Sequence, residues 1–483
     1  MSTQIVFASK NPPIGTQFSS ESELGHMIAA QKEYFLSDVT KKVDFRVQQL
    51  KRLKKLIRQH EQALLEALHK DLGKAPMEGY LTEIMLVINE INYSIKKLKS
   101  WAKPKYIENN FFLSPATSKI YYEPFGVCLI IAPWNYPILL SLRPLISAIC
   151  GGNCVTLKCS EQAPNVNSVI LEMINQHFPT EYICAIDCGP HETEKLTSSG
   201  YDFIFYTGNA NTGKAIMKTA ADSITPVVLE LGGKSPCIVD ESADVTLAAK
   251  RLVWGKFMNA GQTCVAPDYV YVHISRKSEL IKALENQIVK VYGKDPINNP
   301  DFGKIINPQK FQRLIDLLSE AKIIWGGNYD EEKLKIEPTL VEVDSFNEKL
   351  MKEEIFGPIL PILVYKDLDI LISNLKKLPK SLALYQFSKD KEPLQKINKS
   401  ISFGGGCVND CVMQITNKFL PFGGVGQSGF GSYVGEEGFK TFSHAKSIVE
   451  RKRFMLFDFL PVMPPYTESK FKLLKILAKL FGY

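Results

Sequence analysis

Cys264 stands in the run Asn259-Ala260-Gly261-Gln262-Thr263-Cys264-Val265-Ala266-Pro267, among small and polar residues, whereas Cys150, Cys154 and Cys237 sit in more apolar settings. A sulfur so placed is a candidate nucleophile. With an ordinary pKa of about 8.5 its thiol is only a few per cent thiolate at neutral pH, so local amides, a helix start or a cofactor charge must activate it. The plainer reading is an inert buried cysteine. A Cys–His hydrolase competes, although none of the seven histidines lies in a glycine-flanked turn. Glu230 closes the apolar run Val227-Val228-Leu229 and is followed by Leu231-Gly232-Gly233-Lys234. A carboxylate at the carboxyl end of a buried parallel strand lies where α/β proteins bind ligands, and desolvation there raises its pKa toward that of a general base. A capping or salt-bridged glutamate is the alternative. Asn135, in Pro133-Trp134-Asn135-Tyr136-Pro137, offers an amide donor to a developing oxyanion from a turn fixed by two prolines; it also reads as an ordinary turn asparagine.

The stretch Gly208-Asn209-Ala210-Asn211-Thr212-Gly213-Lys214-Ala215 follows the apolar run 203–207 and opens a helical pattern, nearly spelling a phosphate loop. A nucleoside-triphosphate site needs a Ser or Thr hydroxyl for Mg²⁺ after the lysine, and Ala215 has none. Binding of a dinucleotide, with helix-end amides facing a pyrophosphate, uses the same strand, glycine turn and helix without a metal. A glycine turn with no ligand fits as well. Glu354, two residues before Phe356 in Glu353-Glu354-Ile355-Phe356-Gly357-Pro358, reads on its own as part of a solvated loop. No HExxH, CxxC or histidine cluster appears, and a metal site is not expected.

What must position these residues is a large globular body. The chain has 483 residues, 45% hydrophobic, 10% aromatic and 23% charged, which excludes a disordered, collagen-like or disulfide-stapled chain. Ten sparse cysteines indicate a reducing, cytoplasmic setting. The N-terminus has no signal-like apolar run, and the best internal one, from Val127, is broken by Pro133, Asn135 and Pro137, so no spanning helix is expected. Net charge is +7, and residues 446–483 hold eight Lys/Arg against three Asp/Glu, leaving the rest nearly neutral. Lys51, Arg52, Lys54 and Lys55 form the wet face of an amphipathic helix that the apolar spacing extends to Gly73. With a neutral body and no basic surface interleaved with aromatics, nucleic acid is not the expected partner.

Apolar runs at 127–132, 154–158, 203–207, 226–231 and 236–240, separated by helix-like segments, predict parallel βαβ units. A second series at 269–274, 322–327 and 360–365 predicts another α/β domain, and residues 104–124 read as an antiparallel ribbon that leaves the body.

Taken in order, PWNYP, LELGGKSP, GQTCVAPDYV, EEIFGP and LPFGGVGQSGFG, spread from 133 to 431, resemble the aldehyde dehydrogenase superfamily, and GQTCVAPDY and KIYYEPFGV resemble its class 3, fatty and aromatic aldehyde branch. The resemblance implies oxidation of a medium- or long-chain aliphatic or aromatic aldehyde to the acid through a cysteine thiohemiacetal and thioester. It implies Cys264 as nucleophile, Glu230 as general base, and Asn135 with the Cys264 backbone N–H as oxyanion hole. NAD is the implied cofactor, with NADP accepted. Lys158 and Glu161 would meet the adenosine ribose, Thr207, Gly208 and Gly213 the pyrophosphate, and Glu354, Phe356 and Phe422 the nicotinamide end. Two positions depart from the family pattern, Cys159 in Lys158-Cys159-Ser160-Glu161 and Ala210 in the glycine turn, and both bear on cofactor choice. Tyr136 and Trp254 are candidate substrate-pocket aromatics, equally explained by core packing.

The expected architecture is a Rossmann-like cofactor domain (1–103 and 125–229), a second α/β catalytic domain (230–421), a small β oligomerisation arm (104–124 and 422–450) and a basic amphipathic tail (451–483). A homodimer is expected, together with peripheral membrane contact through residues 470–483, where leucines gather opposite Lys472, Lys475 and Lys479. A phosphate-loop nucleotidase and a non-catalytic scaffold are the rival functions.

Overall fold

The computed structural model describes residues 21–109, 113, 115–453 and 463–482. The first twenty residues of the expected cofactor domain, and residues 454–462 and 483 of the expected tail, lie outside the described residues.

The continuous apolar runs become strands covered on both faces, because βαβ crossovers lay helices over each side. Strands β3 (Val127–Ile131), β4 (Cys154–Lys158), β5 (Ile183–Ile186), β6 (Phe203–Thr207) and β7 (Val227–Glu230) are parallel, and the two-residue β17 (Gly429–Phe430) runs antiparallel along β7, in the order β17-β7-β6-β3-β4-β5. Strand order reverses at β3, and α/β sheets bind ligands outside the carboxyl ends of the strands at such a point. Lys158, Thr207 and Glu230 are the last residues of their strands there. The helix Leu139–Gly151, buried along its whole length, follows the Pro-Trp-Asn-Tyr-Pro turn.

The second sheet holds β8 (Pro236–Val239), β9 (Tyr269–His273), β10 (Lys322–Trp325), β13 (Thr339–Glu342), β14 (Ile359–Tyr365), β15 (Ala383–Phe387) and β16 (Gly405–Val408), ordered β10-β13-β14-β9-β8-β15-β16. Only β10 is antiparallel to its neighbour. A small ladder, β11 (Tyr329–Asp330) with β12 (Lys335–Ile336), lies beside it. In the ribbon, β1 (Lys105–Ile107) and β18 (Ser443–Glu450) flank β2 (Thr117–Pro124), all antiparallel.

Four sequence expectations change. The run 236–240, which reads in series with the first sheet, belongs to the second. Strands β5, β13, β15 and β16 are additional, each only four or five residues long. The helix expected to run through to Gly73 is two, Val43–Gln59 and Glu61–Leu72, interrupted at His60. Of the stretch 422–450 assigned to the arm, only β18 lies in the ribbon; β17 seals the edge of the first sheet, and the helix Gly435–Thr441 packs on helices Met85–Trp101 and Leu139–Gly151. No helix among the described residues is long and apolar enough to cross a membrane.

Candidate active site

A cleft of about 1280 Å³ opens at the carboxyl ends of the first sheet and is walled on its far side by the Cys264 loop, the helix Pro308–Leu318 and the segments around Glu354 and Lys380. Asn135, Thr207, Glu230, Cys264, Glu354 and Phe356 all line it.

Cys264 is delivered by an unusual piece of backbone. After the helix Val245–Phe257 come three successive left-handed residues, Asn259 (φ 54°), Ala260 (φ 51°) and Gly261 (φ 75°). For the two non-glycine residues this costs energy and persists only where the surroundings impose it. Here they do. The Asn259 N–H donates to Glu78 Oε1 at 2.8 Å, and Asn259 Nδ2 donates to the carbonyls of Asn135 (2.8 Å) and Gln262 (3.1 Å). Gln262 is locked in turn, donating to the Asn259 and Lys304 carbonyls at 3.0 Å each and accepting from the Ile306 N–H at 3.0 Å. A Cβ on Gly261 would lie 2.2 Å from the Gly357 carbonyl oxygen, so the Cys264 loop and the Gly-Pro turn after Phe356 touch backbone to backbone.

The Asn135 turn is tied to the same loop. Asn135 Nδ2 donates to the Gln262 carbonyl at 3.1 Å, which leaves its second N–H uncommitted, and the Tyr136 hydroxyl meets Thr263 Oγ1 at 2.7 Å. Beneath the turn lies a fully buried ion pair, Lys74 with Glu83 at 2.5 Å. Lys74 Nζ also donates to the Asn135 carbonyl at 3.2 Å and sits 3.9 Å from the Tyr136 ring centre. Glu83 Oε2 accepts from the Ile138 and Leu139 N–H groups at 2.8 and 3.2 Å, anchoring the first turn of the buried helix. Such a pair is compensated charge by charge, and removing either partner leaves a bare ion in the interior.

Against this satisfied scaffold, Glu230 is only 2% exposed and neither carboxylate oxygen has a hydrogen-bond partner among the described residues. Burial alone pushes its pKa well above the usual carboxylate range. Burial, then the negative Glu354 and Glu230, push the Cys264 thiol up to about 12, opposed by the backbone N–H groups of Cys264 and Val265. Glu354 is pushed up to about 8, chiefly by burial and by Asp268. A Cβ on Gly232 would lie 2.0 Å from Glu354 Oε2, so the carboxyl rests directly on the glycines after Glu230. Its turn is held by Asp268, which accepts from the Ile355 N–H at 3.0 Å and from Lys234 Nζ at 2.5 Å, while Lys234 also donates to the Leu350 and Glu353 carbonyls at 2.9 Å each. Phe356 takes a left-handed φ of 52° and sets its ring edge-on to Trp134 at 5.4 Å.

The other end of the cleft fits a dinucleotide. The helix Ala210–Asp222 opens into it, capped by Asn209, whose side chain accepts from the Thr212 N–H. Thr207 Oγ1 is buried with no partner among the described residues, and Gly208 leaves backbone where a Cβ would fall 2.2 Å from the Tyr206 hydroxyl. Lys158 and Glu161 pair at 2.5 Å on the cleft wall.

Four predicted residues stand elsewhere. Gly213 faces away from the cleft and lets the helix approach the sheet, with Leu231 and Leu229 at 3.0 and 3.4 Å from where its Cβ would be. Tyr136 is buried beneath its turn as a brace, Trp254 is half-buried on the helix Val245–Phe257, and Phe422 packs edge-on to Tyr433 at 5.8 Å; none lines the cleft. The braces Lys74, Glu83, Asn259, Gln262, Lys234 and Asp268 were not among the predicted site residues. Four of them lie inside the motifs that carry Cys264 and Glu230, which was a usable signal; Lys74 and Glu83 lie in no motif.

The family model for the aldehyde dehydrogenase family matches residues 9–448. The chain belongs to the aldehyde dehydrogenase family. A 4,4'-diaponeurosporen-aldehyde dehydrogenase of Staphylococcus aureus is 45% identical over 450 residues, covering 93% of this chain and 97% of the relative. Human aldehyde dehydrogenase family 3 member B1 is 39% identical over 460 residues, covering 95% and 98%, in keeping with the class 3 branch. A solved structure described as the substrate-bound state of Staphylococcus aureus AldH superposes with a TM-score of 0.91 at 44% identity, covering 94% of this chain and 99% of that one. This aldehyde dehydrogenase therefore catalyses NAD(P)-dependent oxidation of an aldehyde to the acid. The phosphate-loop nucleotidase and scaffold readings fall away.

Proposed function

We propose that Cys264 is the nucleophile, Glu230 the base and the Asn135 side-chain amide the oxyanion donor for oxidation of an apolar aldehyde, aliphatic or aromatic. The supporting observation is the contrast inside one cleft: each bracing side chain makes hydrogen bonds to its neighbours, while both oxygens of the buried Glu230 carboxyl lack a partner among the described residues, beside the nucleophile's loop. A buried carboxyl without partners is costly, and sites keep such groups where a proton must be taken up.

The Cys264 thiol loses its proton to water in the cleft and the thiolate adds to the carbonyl carbon, whose C=O π pair moves to oxygen; that oxyanion accepts the Asn135 side-chain N–H not given to Gln262 and the backbone N–H of Cys264. Thr207, Gly208, Lys158, Glu161, Glu354 and Phe356 would hold a nicotinamide dinucleotide, which would supply the acceptor for the hydrogen and electron pair that the carbon gives up. Glu230, its basicity raised by burial, then takes a proton from the water that attacks the thioester. The carboxylate leaves and the thiol is restored. Glu161 paired to Lys158 favours a free ribose 2′-hydroxyl and hence NAD over NADP. The name of the Staphylococcus relative, an aldehyde dehydrogenase for 4,4'-diaponeurosporen-aldehyde, supports an extended apolar substrate.

The test is pre-steady-state. A Glu230→Gln protein is expected to release about one equivalent of reduced dinucleotide per site and then stall, because acylation survives and hydrolysis does not. Steady turnover at the parent rate would overturn the assignment.

For assembly, the exposed edge of β18, with Ile448 and Val449 facing outward, supports a homodimer formed through the ribbon. The tail supports a peripheral membrane contact. The helix Glu468–Leu480, capped by Thr467, buries no residue and exposes Phe471, Leu473, Ile476 and Leu480 beside Lys472, Lys475 and Lys479. Flotation with anionic liposomes is expected to recover the full chain and not one ending at Ser469; equal partition would exclude the tail as the contact.

A further inference from the structure

The basic stripe at Lys51–Lys55 has no part in aldehyde oxidation. In the folded protein it forms a concavity. Lys51, Lys54, Lys55 and Arg58 project from the helix Val43–Gln59 toward Asn92 and Ile95 of the helix Met85–Trp101, enclosing about 470 Å³ with Gln59.

Three features set this groove apart from an ordinary wet helix face. First, its charges all have one sign and repel. Lys51 and Lys55, and Lys54 and Arg58, are spaced i,i+4, and Lys51 and Lys54, and Lys55 and Arg58, i,i+3, the spacings at which like charges destabilise a helix. Second, none of the four has a carboxylate partner among the described residues. Elsewhere on the surface the chain pairs its lysines repeatedly: Lys119 with Glu450, Lys322 with Glu342, Lys349 with Glu320, Lys396 with Asp369 and Lys440 with Glu436. Third, the groove floor is organised. Lys54 is half-buried and donates to Asn92 Oδ1 at 2.6 Å. That bond commits the Asn92 carbonyl oxygen and leaves its NH₂ as a donor, so the lining presents ammonium, guanidinium and amide N–H groups toward one space. Lys96 and Lys99, one turn further along the second helix and both exposed, extend the positive field.

A concavity of this size, lined by four cationic side chains and the amides of Asn92 and Gln59, with no carboxylate in its lining, matches an anion carrying several phosphate oxygens, to which Lys and Arg donate charge-assisted hydrogen bonds. We propose that the groove between helices Val43–Gln59 and Met85–Trp101 is a binding site for clustered phosphate groups, separate from the dinucleotide cleft. Two sources present that chemistry: a free polyphosphate compound, or the headgroups of an anionic phospholipid surface.

The full chain, a Lys51→Gln/Lys55→Gln/Arg58→Gln variant, and a control that loses the same charge elsewhere, Lys250→Gln/Lys282→Gln/Lys290→Gln, distinguish them. All six residues are exposed, and aldehyde oxidation is expected to be equal in the three proteins, which shows that each is folded. Tripolyphosphate is titrated calorimetrically, and co-sedimentation is measured with vesicles of equal phosphatidylglycerol and phosphatidylcholine. The groove variant is expected to lose about tenfold or more in affinity relative to both the parent and the control. Loss confined to tripolyphosphate identifies a free polyphosphate ligand; loss confined to vesicles identifies a lipid headgroup; loss with both supports the shared chemistry. If the parent binds neither probe, or the two variants weaken equally, the field is generic and the proposed site is overturned.

Discussion

The two ends of the cleft are built on opposite terms. At the Cys264 end the support is closed on itself: Lys74 answers Glu83, Lys234 answers Asp268, and Asn259 and Gln262 clamp the Asn135 turn and the Cys264 loop to each other. The Glu230 carboxyl is the group there with both oxygens buried and neither one hydrogen-bonded among the described residues. At the far end the groups that would meet a ligand answer each other, Lys158 with Glu161 at 2.5 Å, with a third of the Glu161 side chain open to solvent. The first end is finished before anything binds, and its strain and desolvation are stored in the fold. The second holds a contact that a ligand rearranges at small cost, since a partly exposed pair contributes little. Geometry is fixed where bonds change and left adjustable where they do not.

Substitutions at the two ends should therefore differ by orders of magnitude. The largest effect is expected for Cys264→Ser, where aldehyde-dependent dinucleotide reduction should fall by roughly 10⁴-fold or more with the fold intact, because no neighbouring group replaces the sulfur. Circular dichroism with steady-state assay checks it, and retained activity would remove the sulfur from the mechanism. Next is the brace. Lys74→Met leaves Glu83 as an uncompensated buried charge and should cost about 3–5 kcal/mol, read as an earlier loss of activity in urea, whereas Lys74→Met with Glu83→Leu should recover much of it. If the double variant were as unstable as the single, the pair would owe its effect to shape and not to charge. The smallest change is expected at the adjustable end. Glu161→Gln frees Lys158 for a 2′-phosphate and should raise the NADP-to-NAD ratio of kcat/KM by about tenfold at most, with maximal rate on NAD nearly unchanged. A collapse of kcat there would show that this end too is rigid.

The same contrast explains what could be read from sequence. The proposed reactive residues announce themselves locally: Cys264 among small residues, Glu230 before two glycines and Asn135 between prolines all line the cleft. The parallel sheets were visible as unbroken apolar runs, except where strands such as Ile183–Ile186 are too short to stand out. Braces are non-local. Nothing near Lys74 hints that its ammonium will sit under a turn 61 residues later, and nothing near Asn259 shows that its left-handed backbone is held by the distant Glu78 and Asn135 as well as by Gln262. Aromatic residues are hard to place for a related reason: Tyr136, Trp254 and Phe422 have the chemistry of a pocket wall, but packing decides which way a ring points, and here all three pack on the core outside the cleft lining.

The short strand β17 carries a consequence for the timing of folding. It seals β7 by pairing Gly429 with Glu230, and Ser428 accepts the Leu231 N–H at 3.1 Å, so the edge on which the base sits is closed by residues about two hundred positions downstream. On a ribosome Asn135 and Cys264 emerge long before that edge exists. Contacts so distant in sequence form late. A chain lacking residues 428–430 would leave the Glu230 edge of β7 unpaired.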